Sequence, residues 1–307
     1  MPLWHDYHTP ATVEEAIQTL ARYDGEARII AGGTDLLIDL QHTMQGRHTL
    51  AALVDVTAIS EMTQIEEQDD LIYVGAGVTH TGIVDSPLIE QKATCLVESC
   101  GVVGGPQVRN VGTLGGNVAH ALPAGDGTTS LTALNAEAEV AWHTGQREWL
   151  PLLQLFKGPG LSAVDSTRDV LIRFRFKASQ QQEGTAFKRI MRPQGVALPV
   201  LGCAVWVKLN DSGDTYADAH ICIGPVASIP ARASEAEQAL IGQPTTETTL
   251  DAVSHTARET LHPRTSKYRS TAAYRDYMIE TLLRQALPLA VERARTGVAQ
   301  AEGVGMG

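Results

Sequence analysis

The chain has 307 residues, 43% of them hydrophobic and 19% charged, a balance that supports a sizeable soluble core and, by length, two domains. Its formal net charge of −11 speaks against nucleic acid or an anionic membrane as main partner, although Lys157, Lys188, Arg189 and Arg192 leave room for a local basic patch. No apolar run approaches the ~20 residues needed to cross a bilayer and no leader pattern opens the sequence, so a cytoplasmic protein without a membrane span is expected.

In chain order, residues 11–23 place apolar side chains at Val13, Ala16, Ile17 and Leu20, a helical stripe with Thr12 as its cap. A short strand over 27–30 runs straight into Ala31-Gly32-Gly33-Thr34-Asp35-Leu36-Leu37, and 36–45 reads as a helix or turn leaving that loop. Short apolar strands follow at 53–56 and 71–74, the latter ending in Gly75-Ala76-Gly77. A second glycine-rich loop occupies Val108-Arg109-Asn110-Val111-Gly112-Thr113-Leu114-Gly115-Gly116-Asn117. Glycine removes the Cβ that keeps an anion from the backbone, so two such loops are suited to gripping the two phosphates of a dinucleotide. The first half is therefore expected to be two small lobes of mixed helix and strand.

On local grounds the second half opens after the turn-rich Lys157-Gly158-Pro159-Gly160. Strands are expected at 170–176, 200–209 and 216–223, the last two an antiparallel pair turning at Asn210-Asp211-Ser212-Gly213. Helical patterns cover 233–241, 249–260 and 271–295, which together predict a small antiparallel sheet with helices on one face. The small, Gly-rich end of the chain reads as a flexible tail.

The cysteines, at 95, 100, 203 and 222, show no C-x-x-C spacing and no histidine at ligand distance, so no metal site is expected. On one helix, Cys95 and Cys100 would point ~140° apart and not converge. Buried, reduced thiols are the expectation.

The run from Gly104 to Asp126, GGPQVRNVGTLGGNVAHALPAGD, resembles the flavin-binding subunit of the molybdenum hydroxylases, the relatives of xanthine dehydrogenase, carbon monoxide dehydrogenase and 4-hydroxybenzoyl-CoA reductase. Phe187-Lys188-Arg189, the segment 224–233 and Tyr274-Arg275-Asp276-Tyr277-Met278 are similar to that family's C-terminal domain. The likeness extends over about 3–292. It implies an α+β chain: a two-lobed FAD-binding domain of the PCMH type over 1–178 (lobes about 1–57 and 58–178), a small α+β C-terminal domain over 179–292, and a flexible tail over 293–307.

The resemblance also implies FAD as cofactor. Its contacts would come from Ile30, Ala31, Gly32, Gly33, Thr34, Asp35 and Leu36 in the first loop and from Val108, Thr113, Leu114, Gly115, Gly116 and Asn117 in the second. In the second loop the hydroxyl and amides would reach the phosphates and the flavin side. Asp126 matches an acidic residue near the adenine ribose, and a helix N-cap is the alternative role for it. Leu171 and Lys188 match residues that contact the flavin from the other lobe, with a plain surface charge as the alternative for Lys188. Arg109 fits either a phosphate clamp or an ion pair within the fold, and His120 either packing or chemistry.

A molybdenum cofactor on a large subunit and two [2Fe-2S] clusters on a small subunit are the implied partners, in a heterotrimer or its dimer. Electrons would pass from the clusters through FAD to an external acceptor, with NAD, a quinone, a ferredoxin or oxygen all open. No catalytic residue is assigned to this chain. No cysteine interrupts 116–126, so the extra [4Fe-4S] cluster of the 4-hydroxybenzoyl-CoA reductase type is not expected. The segment 191–199 lacks the aromatic and acidic residues of several relatives, which leaves the acceptor side open. Two other functions share the fold: a stand-alone flavin oxidoreductase resembling the enolpyruvyl-reducing enzymes, and a scaffold that has lost FAD.

Overall fold

The computed structural model describes residues 2–43, 49–192, 198–267 and 269–304. The chain begins with three parallel strands in the order β1-β3-β2: β1 (Trp4–His8), β2 (Ala27–Ile30) and β3 (Leu50–Asp55). Parallel strands need crossovers, and α1 (Val13–Arg22) and α2 (Leu36–Thr43) supply them. The predicted stripe holds: Val13, Ala16 and Leu20 are buried, Ile17 is half-buried, and the Thr12 hydroxyl accepts from Glu15 N at 3.1 Å. Residues 44 and 45 of the expected helix over 36–45 lie outside the described residues.

The second sheet has the order β4-β5-β10-β6-β7 and is antiparallel throughout. Strands β4 (Ile65–Gln68) and β5 (Leu71–Gly75) meet at Asp69-Asp70, both with positive φ, the mirror-image turn that suits a two-residue hairpin. From β5 the chain winds through six short helices: α3 (His80–Val84), α4 (Pro87–Lys92), α5 (Thr94–Gly101), α6 (Pro106–Arg109), α7 (Leu114–Ala119) and α8 (Asp126–Ala133). It then returns as β6 (Glu137–Ala141), β7 (Arg147–Pro151), the small hairpin β8 (Phe156–Gly158) and β9 (Leu161–Ser162), and β10 (Val170–Lys177).

The expectation that the strand at 170–176 opens the second half is corrected here, because β10 lies in the middle of this sheet. Its Ile172, Phe174 and Phe176 enter the first core. Arg173 and Arg175 point the other way and pair with Glu139 and Glu137 on β6, each at 2.7 Å. Strand pairing, not the turn at 157–160, decides where β10 belongs.

The last sheet is β11 (Glu183–Met191), β12 (Pro199–Leu209) and β13 (Tyr216–Gly224), antiparallel in that order. Helices α9 (Ser234–Leu240), α10 (Glu247–Thr260) and α11 (Ala272–Thr296) form a layer on one face, as expected. The other face is covered by α5 and α8 from the first part of the chain. Alternate strand residues therefore enter different cores: Phe187, Ala204 and Cys222 join the first, while Ala186, Cys203, Val205 and Ile221 join the second.

Glu98 on α5 ties these layers together. It is 1% exposed. One carboxylate oxygen accepts from Phe187 N at 2.7 Å, and the other accepts from Arg293 Nη2 at 2.6 Å and Glu302 N at 3.0 Å. Arg293 Nη1 also donates to the Thr185 carbonyl at 2.7 Å.

The flexible tail expected over 293–307 is corrected as far as Val304. Helix α11 continues to Thr296, Gly297 turns the chain at φ +67, and the following residues come back over α5. There Ala301 N donates to Glu90, Val304 lies against Gly101, and Glu302 pairs with Lys188. Small residues allow this close return, and residues 305–307 lie outside the described residues. Among the described residues no helix is long and apolar enough to cross a membrane.

Candidate cofactor cleft

The first glycine loop emerges where β2 stops at Ile30 and α2 begins at Leu36. Gly33 has φ +68, a conformation side chains rarely adopt, and it turns the chain out of the sheet. Gly32 backs directly onto the second loop: a Cβ built on it would stand 2.1 Å from the Val111 carbonyl oxygen. No backbone N–H from Ala31 through Leu36 donates to another group among the described residues. Such a run of unspent donors is suited to an anion.

The second loop is built differently from the expectation. Gly115 N donates to the Ala76 carbonyl at 2.8 Å and Leu114 N to the Val78 carbonyl at 3.0 Å, stitching the loop to the Gly75-Ala76-Gly77 turn. Thr113 caps α7, its hydroxyl accepting from Gly116 N at 3.0 Å. These amides serve the fold rather than a ligand. What the loop offers is the Thr113 hydroxyl proton and the amide of Asn117, whose Oδ1 accepts from Thr128 N and Thr128 Oγ1, each at 3.2 Å. With Oδ1 committed, the Asn117 nitrogen is left as a donor.

Between the loops lies a cleft of about 400 Å³, within the range of small-molecule sites. Ile30, Ala31, Gly32, Gly33, Thr34, Asp35, Leu36, Val108, Thr113, Gly115, Gly116, Asn117 and Leu171 all line it. Leu198 and Arg269 close it from the C-terminal part of the chain.

Three predicted residues lie elsewhere. Leu114 is fully buried behind the wall. Asp126, at the first turn of α8 with Gly125 as the cap, is 5% exposed and bonds Arg189 Nη1 at 2.7 Å. Burial lifts its carboxyl to about 6 against the pull of that guanidinium. Lys188 on β11 is engaged by Glu302. Among the described residues Arg109 pairs with no acid; it donates to the Val103 and Gly104 carbonyls, each at 3.3 Å, so both readings of it give way to a structural one. His120 lines the cleft wall.

Residues that the motifs did not flag also line the cleft. His80 is 3% exposed, its Nδ1 has no hydrogen-bond partner among the described residues, and burial, then the Arg109 charge, brings it down to about 4. It is a neutral imidazole at neutral pH. Arg28 reaches the cleft from β2 while donating to Ser166 Oγ at 3.0 Å. Arg269 had one sequence signal: Arg264, Lys267 and Arg269 stand together without an acid between them.

All four cysteines are free and buried, and burial raises their thiols, Cys95 and Cys222 to about 12. Among the described residues no cluster of His, Cys, Asp and Glu is arranged to hold a metal ion.

Residues 4–176 match the family described as the FAD binding domain in molybdopterin dehydrogenase, and 185–290 match the CO dehydrogenase flavoprotein C-terminal domain. The chain belongs to the FAD-binding subunits of the molybdopterin dehydrogenase family. It is 30% identical over 292 residues to the xanthine dehydrogenase FAD-binding subunit of Escherichia coli O157:H7, covering 94% of this chain and 96% of that one. It is 28% identical over 294 residues to the carbon monoxide dehydrogenase medium chain of Hydrogenophaga pseudoflava, covering 95% and 99%.

Among solved structures, a carbon monoxide dehydrogenase from Hydrogenophaga pseudoflava lacking the Mo-pyranopterin moiety of its cofactor superposes with a TM-score of 0.86 at 27% identity, over 95% of this chain and 99% of the other. Quinoline 2-oxidoreductase from Pseudomonas putida 86 gives 0.84 at 26% identity, over 94% and 98%. The chain is thus a flavoprotein oxidoreductase subunit, and the α+β architecture is that of its family. The cleft fits FAD: its amide run and Gly32 approach leave the room and the donors that a diphosphate requires.

Proposed function

We propose that this chain holds FAD in the cleft and acts as the electron-transfer subunit of a multi-subunit molybdenum hydroxylase. The unspent amide run from Ala31 to Leu36, lining the cleft, carries this reading. These amides, with the Thr113 hydroxyl and the Asn117 amide opposite, would hold the diphosphate; Leu171, Ile30 and Val108 would supply apolar contact. Leu114 and Asp126 support the wall from behind, Asp126 through Gly125 and its Arg189 pair. Bound FAD supplies the step between one-electron and two-electron carriers.

In this reading a large subunit carries the molybdenum cofactor and a small subunit the two [2Fe-2S] clusters, in a heterotrimer or its dimer. NAD, a quinone, a ferredoxin and oxygen are all candidate acceptors. The test is to copurify the complex and add the substrate of the large subunit without oxygen. Bleaching of the flavin absorbance after that of the iron–sulfur clusters supports electron transfer through this chain. Clusters that reduce while the flavin stays oxidised would overturn it.

A further inference from the structure

The C-terminal wall of the cleft gathers positive charge that the fold leaves unanswered. Arg192 Nη2 donates to the carbonyl of Arg269 at 3.2 Å, and Arg275 Nη1 donates to the carbonyl of Arg264 at 2.7 Å. Arg264 reaches the Ala227 carbonyl at 3.4 Å. Arg275 is 4% exposed and its Nε has no hydrogen-bond partner among the described residues. Burial, then the charges of Arg269 and Arg264, pulls its guanidinium below the usual range, and burial does the same to Arg269.

None of these four arginines meets a carboxylate among the described residues, and the residues outside that set include no Asp or Glu. Arg232, Arg258, Arg284 and Arg293 each pair with an acid. Arg192 and Arg264 are exposed, but Arg269 and Arg275 are at least half-buried, and buried like charges without a counter-ion are costly and are relieved when an anion arrives. A guanidinium fork matches phosphate in both shape and charge.

We propose that this arginine cluster is a binding site for a phosphate or diphosphate group on the C-terminal side of the cleft. Arg269, which lines the cleft, makes the contact. Arg192 holds it in place through the Arg269 carbonyl, and Arg264 and Arg275 add positive potential. The group comes either from FAD itself or from a second phosphate-bearing ligand admitted beside it; only the first source rests on the FAD reading above. Lys188 is not part of this site, since Glu302 already holds it.

The test uses inorganic pyrophosphate as probe, titrated calorimetrically into the purified complex with FAD and into the same protein stripped of it. Arg269→Gln and Arg269→Lys are compared with the natural protein, and FAD affinity is measured alongside. Loss of a charged phosphate contact in Arg269→Gln is expected to weaken the bound ligand about tenfold or more, with partial recovery in Arg269→Lys.

Pyrophosphate that binds the FAD-loaded protein and is lost in Arg269→Gln identifies a second ligand. A weaker FAD affinity in Arg269→Gln identifies the diphosphate of FAD. Pyrophosphate binding and FAD affinity both within twofold of the natural protein would overturn the proposal. Should Arg269→Gln fail to fold, the exposed Arg264→Gln is read by the same criteria. A chain that takes up no FAD defeats the cofactor reading separately, and the pyrophosphate titration then decides the cluster alone.

Discussion

Gly32 faces the carbonyl of Val111 so closely that a single added methyl group would stand 2.1 Å from that oxygen. One residue thus joins the two glycine loops, which come from distant parts of the sequence and form opposite walls of the cleft. The contact is backbone against backbone, so no side-chain rotation can relieve a clash there.

Gly32→Ala is therefore expected to push the loops apart. Overpacking of this kind costs about 1–3 kcal/mol. Thermal melting of the FAD-free protein and fluorescence titration with FAD separate the two effects. A lower melting temperature with at least tenfold weaker FAD binding is expected, and unchanged values in both would show that the walls do not depend on this contact.

Lys188 gives the opposite expectation. Its ammonium is engaged by Glu302, and it does not line the cleft. A partly exposed pair of this kind contributes about 0–1 kcal/mol, so Lys188→Ala should leave FAD affinity within about fivefold. A larger loss would return Lys188 to the cofactor role that the sequence resemblance implied.

Glu98 and Arg293 hold the first part of the chain to the last helix and to the residues after it. Glu98→Gln leaves a buried guanidinium without its counter-ion, which costs about 3–5 kcal/mol. Urea unfolding of the natural and variant proteins reads this as a shift in midpoint. A midpoint that does not move would mean that the single Gln oxygen, which can accept from only one of Phe187 N and Glu302 N, is enough to carry the contact.

Two groups at or beside the cleft make stability depend on pH with opposite signs. Folded His80 titrates at about 4 against an ordinary value of 6.5, so between these values the unfolded chain holds more protons. Its contribution is complete above pH 6.5 and is lost as the pH falls toward 4. Folded Asp126 titrates at about 6 against 3.8, so over that interval the folded chain holds the extra proton and acidification favours the fold. His80→Gln should flatten the loss of stability in acid, and Asp126→Asn should steepen it. Urea midpoints measured between about pH 4 and 7 check both, and profiles parallel to the natural protein's would contradict them.

The first loop was legible because its geometry is local: a strand over 27–30, paired glycines and a following helix lie in one stretch of sequence, and the structure has them there. The antiparallel pair at 200–209 and 216–223 was legible for the same reason. What was not legible depends on partners far away in sequence. Asp126 meets Arg189 and so turns from the ligand to the fold. Gly115 N and Leu114 N are spent on Ala76 and Val78. Nothing next to Phe187-Lys188-Arg189 marks it as part of the long strand β11, because both faces are buried against different layers. His80 sits in no motif, and its character comes only from burial and the neighbouring Arg109.

The most direct test of the central claim is the FAD content of the purified protein, read from its visible spectrum and from mass spectrometry of the cofactor released by heat. The account predicts flavin absorption bands, an FAD mass and about one FAD per chain, either as purified or after incubation with excess FAD. A protein that takes up no flavin under either condition, while remaining folded, would contradict it.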